Sequence, residues 1–401
     1  MKILMSGRFV APSGVARATR EFTIAFRKHN LEDELVVFAF ADKSSREICG
    51  NTTIQTMSVR PDLVHVPIRG LGTIYELRSR YAEQMRSAVD LLYETEPDVI
   101  VVNGTNVHDW ILMEAARELR VPKVAILHSA FAERLKYVDT PQQRLLADIE
   151  TQIVEQSSSF VFVSPLVRNL FAVRYGITPE CHVVIPNGIP DVFFSLEDRK
   201  ENLFDIGFIG RDDPVKNLEF VRDLSGHSIS RGRTIHVLSD FAHNAALEPD
   251  LRKNGVYILP PTTDDVSLHA IYQATRLVVS PSHFETLGLV PVEALACGSA
   301  AVISKHMGIA YYFKQLGLND WVIDFGDTER AIKHILELLS SSLCVCDTIR
   351  QQLKENYAWS VTSRRFIEFF MSGTTKERAP EKVRVVDSNV PFFDSTLLEA
   401  G

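Results

Sequence analysis

Short apolar runs rich in β-branched residues alternate along this chain with longer amphipathic segments, and the alternation starts over once. Runs at 3–5, 35–40, 99–102, 124–127, 160–163 and 182–185 read as buried strands. Between them, segments at 15–27, 74–94, 110–119 and 142–156 read as helices. A second set follows, with strands at 204–209, 234–238, 256–259, 277–280, 300–303 and 321–323. Its helices are expected at 217–224, 267–274, 290–296 and 329–340. Strands apolar throughout need cover on both faces, and strand–helix alternation supplies it in a parallel sheet. The expected class is α/β, with two doubly wound parallel-sheet domains in tandem. In such sheets ligands bind beyond the carboxyl ends of the strands, so a cleft between the domains is the expected site.

The join is expected near Pro186-Asn187-Gly188-Ile189-Pro190, a run of turn formers. The first domain then covers 1–188 and the second 189–358. A helix led by Trp359 is expected over 359–371, and a tail of little periodicity over 372–401.

Composition excludes some partners. The formal charge is −8, so there is no basic surplus to neutralise nucleic-acid phosphates. The five cysteines, Cys49, Cys181, Cys297, Cys344 and Cys346, are odd in number and sparse, which suits reduced thiols. No apolar stretch reaches the about 18 residues of a membrane-spanning helix. The N-terminal apolar run is too short for a signal peptide and reads as a first strand. The expected location is cytoplasmic. Arg60, Arg69, Arg78, Arg80 and Arg86 leave peripheral contact at the inner membrane face open, against a solvated helix face as the plainer reading.

Four segments could carry chemistry. In Ser280-Pro281-Ser282-His283-Phe284-Glu285-Thr286-Leu287-Gly288-Leu289 a strand ends in a polar loop and a helix begins. Amides at a helix start lack internal partners, and the helix dipole favours an anion there. Glu285 precedes the turn, and Glu293 follows two helical turns later among small apolar residues. Either could take sugar or ribose hydroxyls, or be an ordinary helix charge. In Phe208-Ile209-Gly210-Arg211-Asp212-Asp213-Pro214-Val215-Lys216-Asn217, Gly210 permits close backbone approach and Arg211 and Lys216 offer two cations. Pairing of those cations with Asp212 and Asp213 in a solvated loop is the competing reading. Ser13-Gly14 after the first strand is a weaker anion site with the wrong spacing for a dinucleotide fingerprint. His128, directly after a strand, points to the crevice or is a hydrogen-bonded structural histidine. Asp264 and Asp265 read as helix capping rather than metal ligands.

Taken in order, these pieces resemble the retaining family-4 glycosyltransferases (glycosyl transferases group 1) of GT-B fold, which has two Rossmann-like domains. The resemblance covers nearly 1–370. It lies in Glu285…Glu293 within its Pro-Ser-x-x-Glu frame, Gly210-Arg211…Lys216-Asn217, Val184-Ile185-Pro186-Asn187-Gly188-Ile189, Glu96-Pro97-Asp98 and the His128 strand. It implies transfer of a sugar, with retention, from a UDP- or GDP-sugar to a glycan, lipid-linked, protein or small-molecule acceptor, as in polysaccharide biosynthesis. Arg211 and Lys216 would neutralise the diphosphate without a metal. Glu285 would hold the donor sugar, the backbone of Thr286, Leu287, Gly288 and Leu289 would cradle phosphate and sugar, and Glu293 would bind ribose. His128 would lie near the anomeric centre, Ser13 and Gly14 near the diphosphate or acceptor, and the helix led by Trp359 would cross back to the first domain. The nucleotide sugar is a co-substrate, and no other cofactor is implied.

Three departures accompany the resemblance. The usual Gly-Gly of the first loop is Ser13-Gly14, the usual Gly-Phe-Gly is Thr286-Leu287-Gly288, and Met307-Gly308-Ile309 stands where an acid is common. They keep two alternatives open, a sugar-nucleotide epimerase or phosphorylase on the same architecture and a non-catalytic nucleotide-sugar-binding subunit.

Overall fold

The computed structural model describes residues 1–9, 14–30, 32–195, 203–341 and 343–374. Ser13 and the tail beyond 374 therefore lie outside the described residues.

Two sheets organise the chain. The first holds β1 (Lys2–Gly7), β2 (Glu34–Ala41), β3 (Ser45–Cys49), β4 (Thr52–Ser58), β5 (Val99–Val102), β6 (Lys123–Leu127), β7 (Ser159–Phe162) and β8 (His182–Val184). Their order is β3-β4-β2-β1-β5-β6-β7-β8. The second holds β9 (Phe204–Ile209), β10 (Ile235–Leu238), β11 (Tyr257–Leu259), β12 (Thr275–Ser280), β13 (Ala300–Ser304) and β14 (Val322–Ile323), in the order β11-β10-β9-β12-β13-β14. Every pairing is parallel except β3 with β4. The order reverses beside β1 in one sheet and beside β9 in the other, so the carboxyl ends of β1, β9 and β12 lie at the switch points, where such sheets bind ligands. The central strands are buried on both faces, Val99, Ile100, Val101 and Val102 completely so.

Two strands and one break escape the apolar pattern. β3 is fully exposed and β4 half-buried, a polar edge hairpin held by its ladder rather than by apolar burial. The helix expected over 74–94 is two, Ile74–Arg80 and Ala82–Thr95. Tyr81 breaks them: its ring is buried, stacks on Phe40 at 5.4 Å, and its hydroxyl donates to the Pro67 carbonyl at 2.8 Å.

The chain passes between the sheets twice, and the two crossings lie side by side. Ile189 pairs with Ala358, and the Ile189 amide donates to the Tyr357 carbonyl at 2.7 Å. Gly188 leaves room for Trp359, since a Cβ there would fall 2.7 Å from the indole. The final helix, Trp359–Thr374, then packs on Gly14–His29, where Phe366 and Phe370 meet Phe22 edge-on at 6.1 and 6.2 Å. This aromatic cluster covers one face of the first sheet with Ile3, Met5, Val37 and Val101.

Candidate active site

The loop between β12 and helix Leu289–Ala296 is shaped by backbone that only glycine tolerates. Gly288 has φ +94°, and a Cβ there would meet Met307 Cε at 2.4 Å. The loop is propped by the segment 306–309: the Glu285 amide donates to His306, the Gly308 amide to Glu285 at 2.9 Å, and the Ile309 amide to Leu287 at 2.8 Å. A Cβ on Gly308 would fall 2.1 Å from the Thr286 carbonyl oxygen. Met307-Gly308-Ile309, which stands out in the sequence only for lacking an acid, is thus the support of the loop. With that support in place, the amides of Thr286, Leu287, Gly288 and Leu289 find no acceptor among the described residues. Leu287 is buried, so its side chain is not available to a ligand.

The loop after β9 meets this one. His283 donates its amide to the Val215 carbonyl at 2.8 Å, and Asn217 its side chain to the Pro281 carbonyl at 3.2 Å. Lys216 is thereby set against Glu285, Nζ to Oε1 2.5 Å, and Ser282 donates to the same oxygen at 2.9 Å. An ammonium has three donors, so Lys216 can hold Glu285 and a further oxygen together. The Arg211 side chain is exposed and has no hydrogen bond or ion pair among the described residues. Pairing of these cations with Asp212 and Asp213 does not occur. Asp212 accepts from the amides of His243 and Asn244. Asp213 caps the Val215 amide and pairs with Arg134 at 2.7 Å. Burial works to raise the Asp213 pKa, but the bond and charge of Arg134 outweigh it and the net shift is downward. Across from these residues stands half-buried Arg8, whose pKa is lowered by burial and by the neighbouring charge of Arg211, against the pull of Asp109. Around Gly210 a Cβ would touch only the Phe208 ring, at 3.4 Å, and around Gly14 it would meet nothing within 4 Å among the described residues.

Two expected contacts are already occupied. Glu293 is buried, with Arg17 on one oxygen at 2.7 Å and the Tyr272 hydroxyl donating to the other at 2.7 Å. Arg17 comes from the first half, pairs also with Asp265 at 2.5 Å, and lies over the Phe193 ring at 5.2 Å. A ribose at Glu293 has to share that carboxylate with Arg17 or displace it. His128 is buried with both ring nitrogens bonded, Nε2 to Asn103 Oδ1 at 2.7 Å and Nδ1 to Asn187 Nδ2 at 3.0 Å. Burial pushes its pKa down to about 4, so the ring is neutral at pH 7. What His128 turns to the loop at 285–289 is its carbonyl, which accepts from Thr286 Oγ1 at 2.7 Å. The Thr286 carbonyl accepts in turn from Ser164 Oγ at 2.5 Å. Of Thr286, only the amide is without a partner among the described residues.

Sequence reasoning brought together Lys216, Glu285, Gly288 and Arg211. It missed Arg17, Arg134, Asn103 and Ser164. Ser164 carried a local signal, Ser-Pro at the start of helix Pro165–Tyr175. Arg17 and Arg134 carried none, because their partners lie 276 and 79 residues away. Among the described residues no group of three His, Cys, Asp or Glu side chains is arranged to hold a metal ion. No helix among them is long and apolar enough to cross a membrane.

Comparison with known proteins places both halves of the chain. The model of Glycosyltransferase Family 4 matches residues 12–192, and that of glycosyl transferases group 1 matches residues 242–358. Glycogen synthase of Mycobacterium tuberculosis (strain H37Rv) is 23% identical over 315 residues, 74% of either chain. D-inositol 3-phosphate glycosyltransferase of Rhodococcus opacus is 26% identical over 283 residues, 63% of either chain. Sucrose-phosphate synthase from Thermosynechococcus elongatus superposes with a TM-score of 0.72 at 15% identity, covering 92% of this chain and 98% of that one. An alpha,alpha-trehalose-phosphate synthase (UDP-forming) from Burkholderia vietnamiensis gives 0.67 at 14% identity, covering 93% and 97%. Both halves thus match, and in their proper order. The chain belongs to the family-4, group 1 glycosyltransferases of GT-B fold and is a glycosyltransferase enzyme.

Proposed function

We propose that the enzyme transfers a sugar, with retention of anomeric configuration, from a nucleoside diphosphate sugar to a sugar-containing acceptor. The observation that carries this reading is the run of four amides at 286–289 without acceptors among the described residues, set beside Lys216, with Arg211 on the same loop as Lys216. Amides, two cations and a helix start together match a pyrophosphate ester. UDP-sugars are the first donors to test, since the Burkholderia neighbour is described as UDP-forming, and GDP-sugars the second.

Arg211 and Lys216 would grip the diphosphate, and the amides would meet the oxygens that gain charge as the leaving group departs. Glu285 keeps Oε2 free of any described partner and would take hydroxyls of the donor sugar. Glu293 would receive ribose once Arg17 yields a lone pair. Gly14, with Ser13 before it, would approach the diphosphate or acceptor. His128 would border the anomeric centre through its carbonyl side. Fixed positive charge would serve the leaving group in place of a metal, so EDTA should leave transfer unchanged.

A thermal-shift screen with UDP- and GDP-sugars tests the donor, since a bound ligand stabilises the folded state by mass action. The matching base should raise the melting temperature of the wild type and not that of an Arg211→Ala, Lys216→Ala double variant. Equal shifts in both proteins would place the nucleotide elsewhere. NMR of the product's anomeric proton during the first turnovers tests retention.

A further inference from the structure

His128 belongs to a chain of buried hydrogen bonds in which the direction of each bond is set by chemistry. It starts at Thr19, whose Oγ1 lies 3.0 Å from the Val15 carbonyl. A carbonyl only accepts, so the single hydroxyl proton is spent there. Thr19 Oγ1 then accepts from the Arg8 amide at 3.2 Å and from Asn103 Nδ2 at 2.9 Å. With its NH2 on Thr19, Asn103 presents Oδ1 to His128 Nε2 at 2.7 Å, and that nitrogen must carry the proton. His128 Nδ1 is left as an acceptor, met by Asn187 Nδ2 at 3.0 Å.

The reversed chain is worse. It would turn the Asn187 oxygen to the ring and leave its buried NH2 unpaired. The observed direction leaves only Asn187 Oδ1, an acceptor, without a partner. Buried unpaired N–H groups are the rarer case. Asn103 is itself fixed, for its amide donates to Ser6 Oγ at 2.9 Å, and Ser6 donates to buried Asp109. Asn103 follows β5, His128 follows β6 and Asn187 follows β8, so the clamp is built at the carboxyl ends of the first sheet.

We propose that Asn103 and Asn187 are positioning residues that hold His128 as the neutral imidazole protonated on Nε2, keeping its carbonyl on Thr286 Oγ1. This rests on reading 285–289 as the donor loop. The imidazole is then neither a general acid nor a general base. It is a fixed post between the two halves, and Asn103 acts on the sugar only through it.

The test compares wild type, Asn103→Ala and Asn103→Asp by ring 15N NMR, with His128→Gln assigning the signals, and by donor kinetics. The wild type is expected to show the Nε2–H tautomer. Asn103→Ala should lose it to a mixture and lower kcat by ~10–100-fold with little change in donor KM, as displaced reacting groups do. Asn103→Asp keeps an acceptor facing Nε2 but gives Thr19 Oγ1 no donor and sets a negative charge beside the ring, so it should keep Nε2 protonated, raise the His128 pKa and recover kcat only in part. A wild-type Nδ1–H signal, an unchanged tautomer in Asn103→Ala, or a changed tautomer with unchanged kcat would each overturn the proposal. The ring signals are read without substrate. A wild type that turns over no nucleotide sugar would therefore strike the donor assignment, while the tautomer is still decided.

Discussion

Arg17 and Glu293, 276 residues apart, are joined across the two halves of the molecule by an ion pair of 2.7 Å. The same guanidinium holds Asp265, so one side chain of the first half grips two acids of the second. Arg17→Met keeps the stem over Phe193 and removes the charge. It leaves Glu293 buried with Tyr272 alone. Losing one partner of a buried pair costs ~3–5 kcal/mol, and the partial exposure of Arg17 lowers the expectation to about 2–3 kcal/mol. The variant should melt earlier and show a larger radius of gyration by X-ray scattering. If neither changes, the pair does not hold the halves together.

Lys216 and Arg211 lie on the same loop after β9 but differ in support. Lys216 is anchored by Glu285, whereas Arg211 is unpaired among the described residues. Lys216→Ala removes a preplaced charge and leaves Glu285 without its cation. Turnover should fall by ~10²–10³-fold, the range for losing one transition-state donor. Arg211→Ala removes a charged hydrogen bond of ~1.5–3 kcal/mol and should weaken nucleotide binding by roughly one to two orders of magnitude. Initial-rate kinetics with the donor check the first, and calorimetric titration with UDP and GDP checks the second. Full affinity in the double variant would remove the diphosphate from this site.

Gly308 is the tightest point of the loop's support. A Cβ there would fall 2.1 Å from the Thr286 carbonyl and 2.5 Å from Ser164 Oγ. Gly308→Ala must push the loop at 285–289 off its prop, at about 1–3 kcal/mol for overpacking, and with an expected loss of kcat. Gly72→Ala is the control, because its Cβ would meet nothing nearer than 3.9 Å. Melting curves and kcat of the two variants, measured together, separate a general glycine effect from one confined to the loop.

The architecture was legible because strands buried on both faces must be apolar, and Val99–Val102 or Phe204–Ile209 announce themselves by composition. The polar edge pair β3 and β4 did not, since main-chain bonds hold it and leave no trace in side-chain periodicity. The break at Tyr81 was hidden too. The aromatic fits a helical stripe, and its bond to Pro67 and its stack on Phe40 come from distant segments. In the site, Lys216, Glu285 and Gly288 stood in readable loops. The occupancy of Glu293 by Arg17 and of His128 by two asparagines depends on how distant elements pack.

Glu150 supplies a test by pH. It is buried, accepts from the amides of Phe131 at 2.6 Å and Ala132 at 3.4 Å, and takes a bond from the Tyr175 hydroxyl at 3.1 Å. It thus caps the short helix Phe131–Arg134, whose last residue reaches Asp213 in the other half. Burial raises its pKa from the ordinary 4.5 to about 7, against the opposing pull of those bonds. A raised folded-state pKa means that the native protein binds the proton more tightly than the unfolded chain. Its contribution is complete below pH 4.5 and is lost as pH rises through 7. Over that window the shift amounts to about 3 kcal/mol at ~1.4 kcal/mol per unit. Glu150→Gln mimics the protonated acid, so its stability should lack this slope. Denaturant unfolding at pH 5 should give similar values for the two proteins. At pH 8 the variant should be the more stable by up to about 3 kcal/mol. Parallel stability curves across this range would mean that Glu150 stays ionised in the native state, sustained by its three donors.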